Sequence, residues 1–511
     1  MIQASGCDTN EWRVAPLLAR SAHMSSVVKN ARAIRAAEIA FLALLVVVGA
    51  GLRVYRIETG LWYDEIRTLL DSVRLPLIQI LTHFPTDNDH PLYSVIAHMS
   101  VSAFGTNPLA LRLPAALFGV AAIPLLYFVG RAVTNRLEAG AAALILTFSY
   151  HHIWFSQNAR GYTALLFFVM LSTLALIRWF ETGSRSFLIV YAVSTALGAY
   201  AHLTMVLVCL SHALACAFDW LRHGRDSRAS AQRIDLGAAF VGAGLLTVAL
   251  YLPMLLDVSA FYSPSVTPRD EVATPLWSVL AALRGLQAGF GGLWAIVVGA
   301  LLFGAGVWSH FKQRPTVALL LLLAVPFTLL VILVLQRPVR PRFVLFAIGF
   351  GLLVILRGAA TLGAGLAPIT HSWLTRRQAA TTMVALLTVG ALAASIRSLP
   401  FGYRFPKQDY EGAVSFVEQS KSGEDVAAVV GVTATVPVLR YLGRPWRRIE
   451  HESQLDALPP GGRHVWVLYT FSSYIENGQP ELWAALHKRC SGVREFVGTV
   501  EGGTISVRRC P

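Results

Sequence analysis

The sequence predicts an all-α polytopic membrane protein with about eleven transmembrane helices and a small external α/β domain at its C-terminal end. Three observations lead there. Of 511 residues, 55% are hydrophobic and only 14% charged, whereas soluble domains carry about 25% charged residues. Apolar runs of about 20 residues recur along the chain, which is the length a helix needs to cross a bilayer, and the alternating ten-residue strands of a membrane barrel do not recur. After about residue 402 the long apolar runs stop and mixed charge begins.

Residues 1–35 are polar and basic (Arg13, Arg20, Lys29, Arg32, Arg35) and contain neither a signal-peptide core nor a small-residue cleavage site. They are expected to be a cytoplasmic tail. Spans are expected near 36–56, 109–131, 137–154, 161–181, 187–203, 204–221, 236–256, 291–311, 316–336, 342–358 and 380–398, about eleven in all. The apolar segment 91–105 is short, starts at Pro91 and holds His98, so length alone leaves it open. Charge settles the expectation. If 91–105 does not cross, every loop on the N-terminal side of the membrane is basic: Arg131 and Arg136; Arg178 and Arg185; Arg222, Arg225, Arg228 and Arg233; Lys312 and Arg314; Arg357, Arg376 and Arg377. That is what the positive-inside rule asks of cytoplasmic loops. The expected topology therefore has the N-terminus inside, the C-terminus outside, and 57–108 as a long first external loop with a half-embedded helix.

The formal net charge of +14 does not imply nucleic acid, because no basic stretch is interleaved with an aromatic stacking platform. The basic residues left on the outer side break the rule and are the informative ones. They are Arg53, Arg56, Arg67, Arg74, Arg160, Arg269, Arg284, and the cluster Arg337, Arg340 and Arg342 in "QRPVRPRF". A guanidinium is a planar fork suited to phosphate. Lipid headgroups are one anionic partner for such a set, and a bound phosphate or diphosphate is the other.

The segment 402–511 reads as helix 407–421, strand "DVAAVVG", helix 433–442, strand 464–471, helix 480–489 and two strands around 494–500 and 503–508. The five cysteines have no CxxC or Cys/His metal spacing. Cys490 and Cys510 fall in this segment, where an oxidising compartment would allow them to pair; two free thiols are the alternative.

The first loop carries "WYDEI" (Asp64, Glu65) and then "TDNDHPLY" (Asp87, Asp89, His90, Tyr93). Acids near a low-dielectric surface can serve as proton acceptors. On the structural reading, Asp64 and Glu65 cap an interfacial helix, and Asp87, Asp89 and His90 form a solvated turn before Pro91.

The ordered series "W-x-D-E", "D-x-D-H-P-L-Y", "ALRLPAALFG" and "SQNARGYTALLFF", followed by "PRF" at Pro341–Phe343, resembles the polyprenyl-phosphate-dependent glycosyltransferases of the GT-C fold. Among them it is most similar to the protein mannosyltransferase, aminoarabinose transferase and lipopolysaccharide-core transferase group. The likeness runs from residue 36 to about residue 350. It implies an enzyme of cell-envelope glycan biosynthesis. Such an enzyme takes a sugar from a polyprenyl-phosphate or diphosphate carrier at the outer face of the cytoplasmic membrane and passes it to a glycolipid, polysaccharide or protein acceptor. By motif position it places the catalytic carboxylate at Asp64, with Glu65 as partner. The leaving lipid phosphate needs cations, and the misplaced arginines supply them: Arg342 and Arg160 first, Arg337 and Arg340 next, and Arg269. His90, Tyr93 and His202 are candidates for contacting sugar or phosphate. His202 has a second reading as a hydrogen-bonded histidine at a helix end.

Two departures from the family matter. The second external loop, "FSQNARGY", has no carboxylate, so a divalent ion bridging the two loops is not expected and no cofactor is assigned. The lysine-Pro-Pro or His-Pro-Pro element is reduced to His90-Pro91-Leu92. With one base and direct displacement, transfer is expected to invert the sugar carbon. A transporter or flippase would place ionisable residues inside the spans, where this sequence has few. A non-catalytic scaffold would leave the acid pair and the outward arginines without a role.

Overall fold

The computed structural model describes residues 15–86, 89–223, 227–261, 293–334, 341–368, 374–456 and 464–511. Helices occur at each expected membrane segment and in the expected order, beginning with Ala15–Val54 and Pro108–Val133 and ending with Ile348–Leu366 and Arg376–Arg404. The expected span count is not reproduced. Among the described residues eight helices are long and apolar enough to cross a membrane, or nine if the bent pair Pro315–Leu322 and Ala324–Val334 is one span. The shortfall has local causes. Helix Arg136–Phe148 has 13 residues, or about 20 Å at 1.5 Å per residue, against a hydrocarbon thickness of about 30 Å. Ser149 ends it and caps the next helix, Tyr150–Ser156, by accepting a bond from the His152 amide. Helix Arg185–Ala201, at 17 residues, is the other short one.

The helices pack around an aliphatic core drawn from Pro108–Val133, Tyr162–Thr182, Pro315–Leu322 and Ile348–Leu366, with Leu126, Leu166, Val169, Leu320, Phe350 and Leu353 at its centre. The stretch between the first two long helices is a chain of short turns: helix Tyr63–Thr68, the π-helical Leu69–Val73, Leu77–Thr82, and Pro91–Phe104. The last has 14 residues and begins with Pro91, where a missing amide costs nothing. Its His98 bonds the Val73 carbonyl through Nδ1 at 2.9 Å. Asn107 then caps the long helix by accepting from the Ala110 amide.

Beyond the last long helix lies a five-stranded sheet of β1 (Val426–Val430), β2 (Arg447–Ile449), β3 (Val465–Thr470), β4 (Ser491–Phe496) and β5 (Ile505–Cys510), in the order β2-β1-β3-β5-β4. β1 runs parallel to β2 and β3; β5 is antiparallel to β3 and β4. Central strands buried on both faces need continuous apolar runs, and "VAAVV" and "VWVLYT" supply them. Cys490 and Cys510 form a disulfide across the base of the β4–β5 hairpin. The expected helix 407–421 starts at Tyr410, capped by Asp409. The expected helix 433–442 is one α turn that continues as the π-helical Val436–Tyr441. The sequence reading missed β2 and helices Glu452–Asp456 and Ser472–Gly478, all too short to show a period.

One face of this sheet packs under helix Pro480–Arg489, with Val430, Val467 and Leu486 at the centre. Its other face shares a single core with the first loop: Val429, Leu468 and Val507 join Tyr410 and Val414, and these join Ile66, Leu69, Tyr93 and Leu111. Strand alternation makes this division possible, since neighbours along β1 face opposite ways. Sheet and first loop are thus built against each other.

Candidate active site

The two acids of "WYDEI" are adjacent in sequence but meet different surroundings. Glu65 is fully buried. Arg112, also fully buried, grips it with a two-pronged contact, Nε to Oε1 at 2.7 Å and Nη2 to Oε2 at 2.5 Å. The Ala159 amide donates to Oε1 at 2.9 Å, the Trp62 amide to Oε2 at 3.3 Å, and Lys407 Nζ lies 3.8 Å from Oε1. Burial alone would raise the Glu65 pKa; Arg112, Lys407 and the Ala159 amide outweigh it and hold the carboxyl below its usual range. The rest of the Arg112 fork closes on the carbonyls of Ile57, Thr59 and Gly60. Glu65 and Arg112 therefore staple the incoming loop to the start of helix Pro108–Val133.

Asp64 turns the other way. It is 8% exposed, and its Oδ2 accepts from Arg342 Nη1 at 3.1 Å. Arg160 Nη1 lies 3.6 Å from the same oxygen, an ion pair too long to count as a hydrogen bond. Arg160 is itself 3% exposed, and its Nε and Nη1 have no hydrogen-bond partner among the described residues. One carboxylate oxygen is thus shared by two guanidiniums from distant parts of the chain.

Beside Arg160 stands a ring cluster. His90 and His202 centroids are 5.0 Å apart, and Tyr162 lies within 5.5 Å of both, with Arg160 over its face at 5.7 Å. The His202 ring also meets Phe343 at 6.2 Å. His90 bonds the Ala201 carbonyl through Nδ1 at 3.0 Å, which makes Nδ1 the protonated nitrogen and leaves Nε2 as a buried acceptor without a hydrogen-bond partner among the described residues. Burial first, then the charge of Arg160, hold its pKa well below the ordinary histidine value. Gly161 lets these pieces meet, since a Cβ there would come within 2.4 Å of the Ala201 carbonyl oxygen. Asp89 steadies the turn: its Oδ1 accepts from Ser72, Ser94 and the His90 amide. Burial raises the Asp89 pKa despite those bonds.

Of the sequence-predicted residues, Asp64, Arg160, Arg342, His90 and His202 come together. Tyr93 is buried nearby, but its hydroxyl is spent on the Leu111 carbonyl. Glu65 is spent on Arg112. Arg337, Arg340 and Arg269, with Asp87, lie outside the described residues. Two other arginines that the sequence assigns to the outer side are occupied elsewhere: Arg67 pairs with Asp71, and the fully buried Arg53 is wrapped by Ser156, His152 and the carbonyls of Gly49, Leu146 and Thr147.

Three residues escaped the sequence reading. Arg112 was signalled by an arginine just inside an apolar helix. Lys407 and Gln408 sit in "PKQDY", past the last long helix. Lys407 is buried, donates to the Gln157 carbonyl and lies 5.3 Å over the Trp154 ring. Gln408 accepts from the Tyr63 amide at 3.0 Å and donates to Thr470 at the end of β3. Among the described residues no group of three or more His, Cys, Asp and Glu is arranged to hold a metal ion.

Residues 88–229 match the model of the dolichyl-phosphate-mannose-protein mannosyltransferase family. Among curated proteins none matches the chain by sequence. The structure is similar to that of ArnT from Cupriavidus metallidurans in the apo state, at 13% identity and a TM-score of 0.54, over 93% of this chain and 98% of that one. Against the same protein bound to undecaprenyl phosphate the TM-score is 0.53 at 13% identity, over 92% and 97% of the two chains. The Archaeoglobus fulgidus oligosaccharyltransferase AglB, in complex with an inhibitory peptide and a dolichol-phosphate, aligns over 91% of this chain and 73% of that one, at 12% identity and a TM-score of 0.54. The chain has the GT-C fold of the polyprenyl-phosphate-dependent glycosyltransferases.

Proposed function

We propose that the chain is a membrane glycosyltransferase that moves a sugar from a polyprenyl-phosphate or diphosphate carrier to an acceptor, with Asp64 as the base. The observation that carries this reading is the sharing of one Asp64 oxygen by Arg342 and Arg160. The two guanidiniums are matched to an anion, and both reach the same Asp64 oxygen. A lipid phosphate arriving between them would take over the arginines, because a phosphate presents more acceptor oxygens to the fork than one shared carboxylate oxygen. That exchange would release Asp64 to take the proton of an acceptor hydroxyl, which is a poor nucleophile until it loses it. The same arginines would then hold the charge that develops on the leaving phosphate.

With Glu65 locked by Arg112, the acid pair offers one reactive carboxylate. One base and no nucleophilic partner fit direct displacement with inversion. The Nε2 of His90 would accept a hydroxyl from the donor sugar. Arginine, rather than a divalent ion, neutralises the phosphate on this reading. The fold similarity and the match to residues 88–229 support the reaction class. The Cys490–Cys510 disulfide fits an oxidising side of the membrane, which supports the site and the sheet facing outward from the cytoplasmic membrane.

Two substitutions test the roles separately. Asp64→Asn should lower transfer by roughly 100- to 10,000-fold, the usual range for a lost general base, with carrier binding retained. The readout is mass spectrometry of envelope glycans in cells whose only copy carries the change; unaltered glycans would remove Asp64 as base. Arg342→Ala should instead weaken binding of polyprenyl phosphate to the purified protein, and unchanged affinity would take Arg342 out of the phosphate site.

A further inference from the structure

The opposite end of the helix bundle holds a second cationic construction. Arg131 lies about 28 Å along the same helix from Arg112, at about 1.5 Å per residue, so the two ends are about one hydrocarbon thickness apart. There a cavity of about 780 Å³ opens between the ends of helices Pro108–Val133, Leu293–Gln313, Ile348–Leu366 and Arg376–Arg404 and the start of Arg136–Phe148. Four arginines line it: Arg131, Arg136, Arg357 and Arg377. Its depth comes from small residues, Ala360, Ala364 and Ala380, where larger side chains would close it.

The charges of this cavity do not balance internally. Arg357 is held by the buried Glu138 at 3.2 Å and by Ser309 at 3.1 Å. Arg136 pairs with Glu38 at 2.6 Å. Arg131 and Arg377 have no carboxylate partner among the described residues. The cavity thus presents two uncompensated guanidiniums beside apolar alanines, with Trp308 on its wall. That combination suits an amphiphile: a phosphate for the forks and a glycerol–acyl portion for the alanines. Arginine forks bind phosphate in two-pronged fashion, and basic pockets between membrane helices are where anionic headgroups lodge.

We propose that this cavity binds the phosphate headgroup of an anionic phospholipid, in the leaflet opposite the candidate active site, with Arg131 and Arg377 as its ligands. The shared chemistry is phosphate recognition; the alanine-lined wall selects the lipid over a free ion. The proposal is independent of the transfer reaction.

The test is native mass spectrometry of the full chain in detergent, titrated with dioleoyl phosphatidylglycerol or with dioleoyl phosphatidylcholine. Wild type should retain the anionic lipid preferentially. Arg131→Ala with Arg377→Ala should weaken that retention roughly 30-fold, at the usual value of a basic residue near a lipid surface, and leave the zwitterionic lipid unchanged. Arg377 is exposed and Arg131 half-buried, so the fold should tolerate both changes. Ala364→Trp, which fills the cavity without touching charge, should also displace the lipid. Equal retention of both lipids by wild type, or unchanged retention in the double variant and in Ala364→Trp, would overturn the proposal. Displacement of the lipid by low-millimolar inorganic phosphate would overturn the lipid assignment in favour of a soluble phosphate ligand.

Discussion

The two ends of the helix bundle use arginine differently. Around the first loop two cations are buried and converge on carboxylates: Arg112 and Glu65 are both fully buried, and Arg160, beside Asp64, is 3% exposed. At the other end, apart from Arg357 on the buried Glu138, the pairs stand more in the open. Arg178 meets Glu181 at 2.8 Å with both side chains about a third exposed, and Arg185 meets Asp235 at 2.8 Å with its own side chain 76% exposed. A buried charge is tolerated only when paired and hydrogen-bonded, so Arg112 and Arg160 have each been placed against a specific carboxylate. Exposed pairs such as these two contribute little to stability. Burial, more than the number of arginines, separates a built site from a topological signal.

That contrast is breakable. Arg112→Met should be the most damaging of the structural changes. It leaves Glu65 buried with its main counter-charge gone and frees the loop carbonyls of Ile57, Thr59 and Gly60. The expected loss is about 3 to 5 kcal/mol, read as the largest drop in thermal midpoint of the series. A midpoint near wild type would mean the buried pair holds nothing together. Lys407→Met should act less strongly and through pH. Burial first, and then Arg112, lower the Lys407 pKa from 10.5 to about 7. Between those values the unfolded chain binds a proton that the folded chain does not, so Lys407 makes stability rise as pH rises through that window. Thermal midpoints from pH 7 to 10 should climb more steeply in wild type than in Lys407→Met; parallel curves would show that Lys407 is not desolvated. At the small end, Arg185→Gln should leave the midpoint within error at every pH, and a clear shift would blur the distinction between the two ends.

Much of the architecture could be read from the sequence because helix length, apolar runs and the sign of loop charge are local properties. Arg160 and Arg342 stood out because outward arginines break the expected charge rule, Asp64 and His90 by their place in the ordered motifs of the family resemblance, and His202 by its place at an expected span end. What was not legible is pairing over long separations. Nothing near Glu65 announces that Arg112 consumes it, and nothing near Tyr63 announces that its amide is taken by Gln408. The break at Ser149 was hidden because "LTFSYHHIWF" stays apolar on both sides of it. β2 was hidden because three residues cannot show alternation.

The Lys407 and Gln408 contacts with the first loop also set an order of events during synthesis. The acid pair leaves the ribosome early, just after the first long helix. Two of the side chains that hold it, one on Glu65 and one on the Tyr63 amide, come more than 300 residues later. At about 5 to 20 residues per second, that gap is on the order of 20 to 70 seconds. Through that interval the nascent chain carries its acid pair without the Lys407 and Gln408 contacts. A truncated or stalled polypeptide ending before residue 407 would insert its helices and still lack two of the contacts that complete the candidate site.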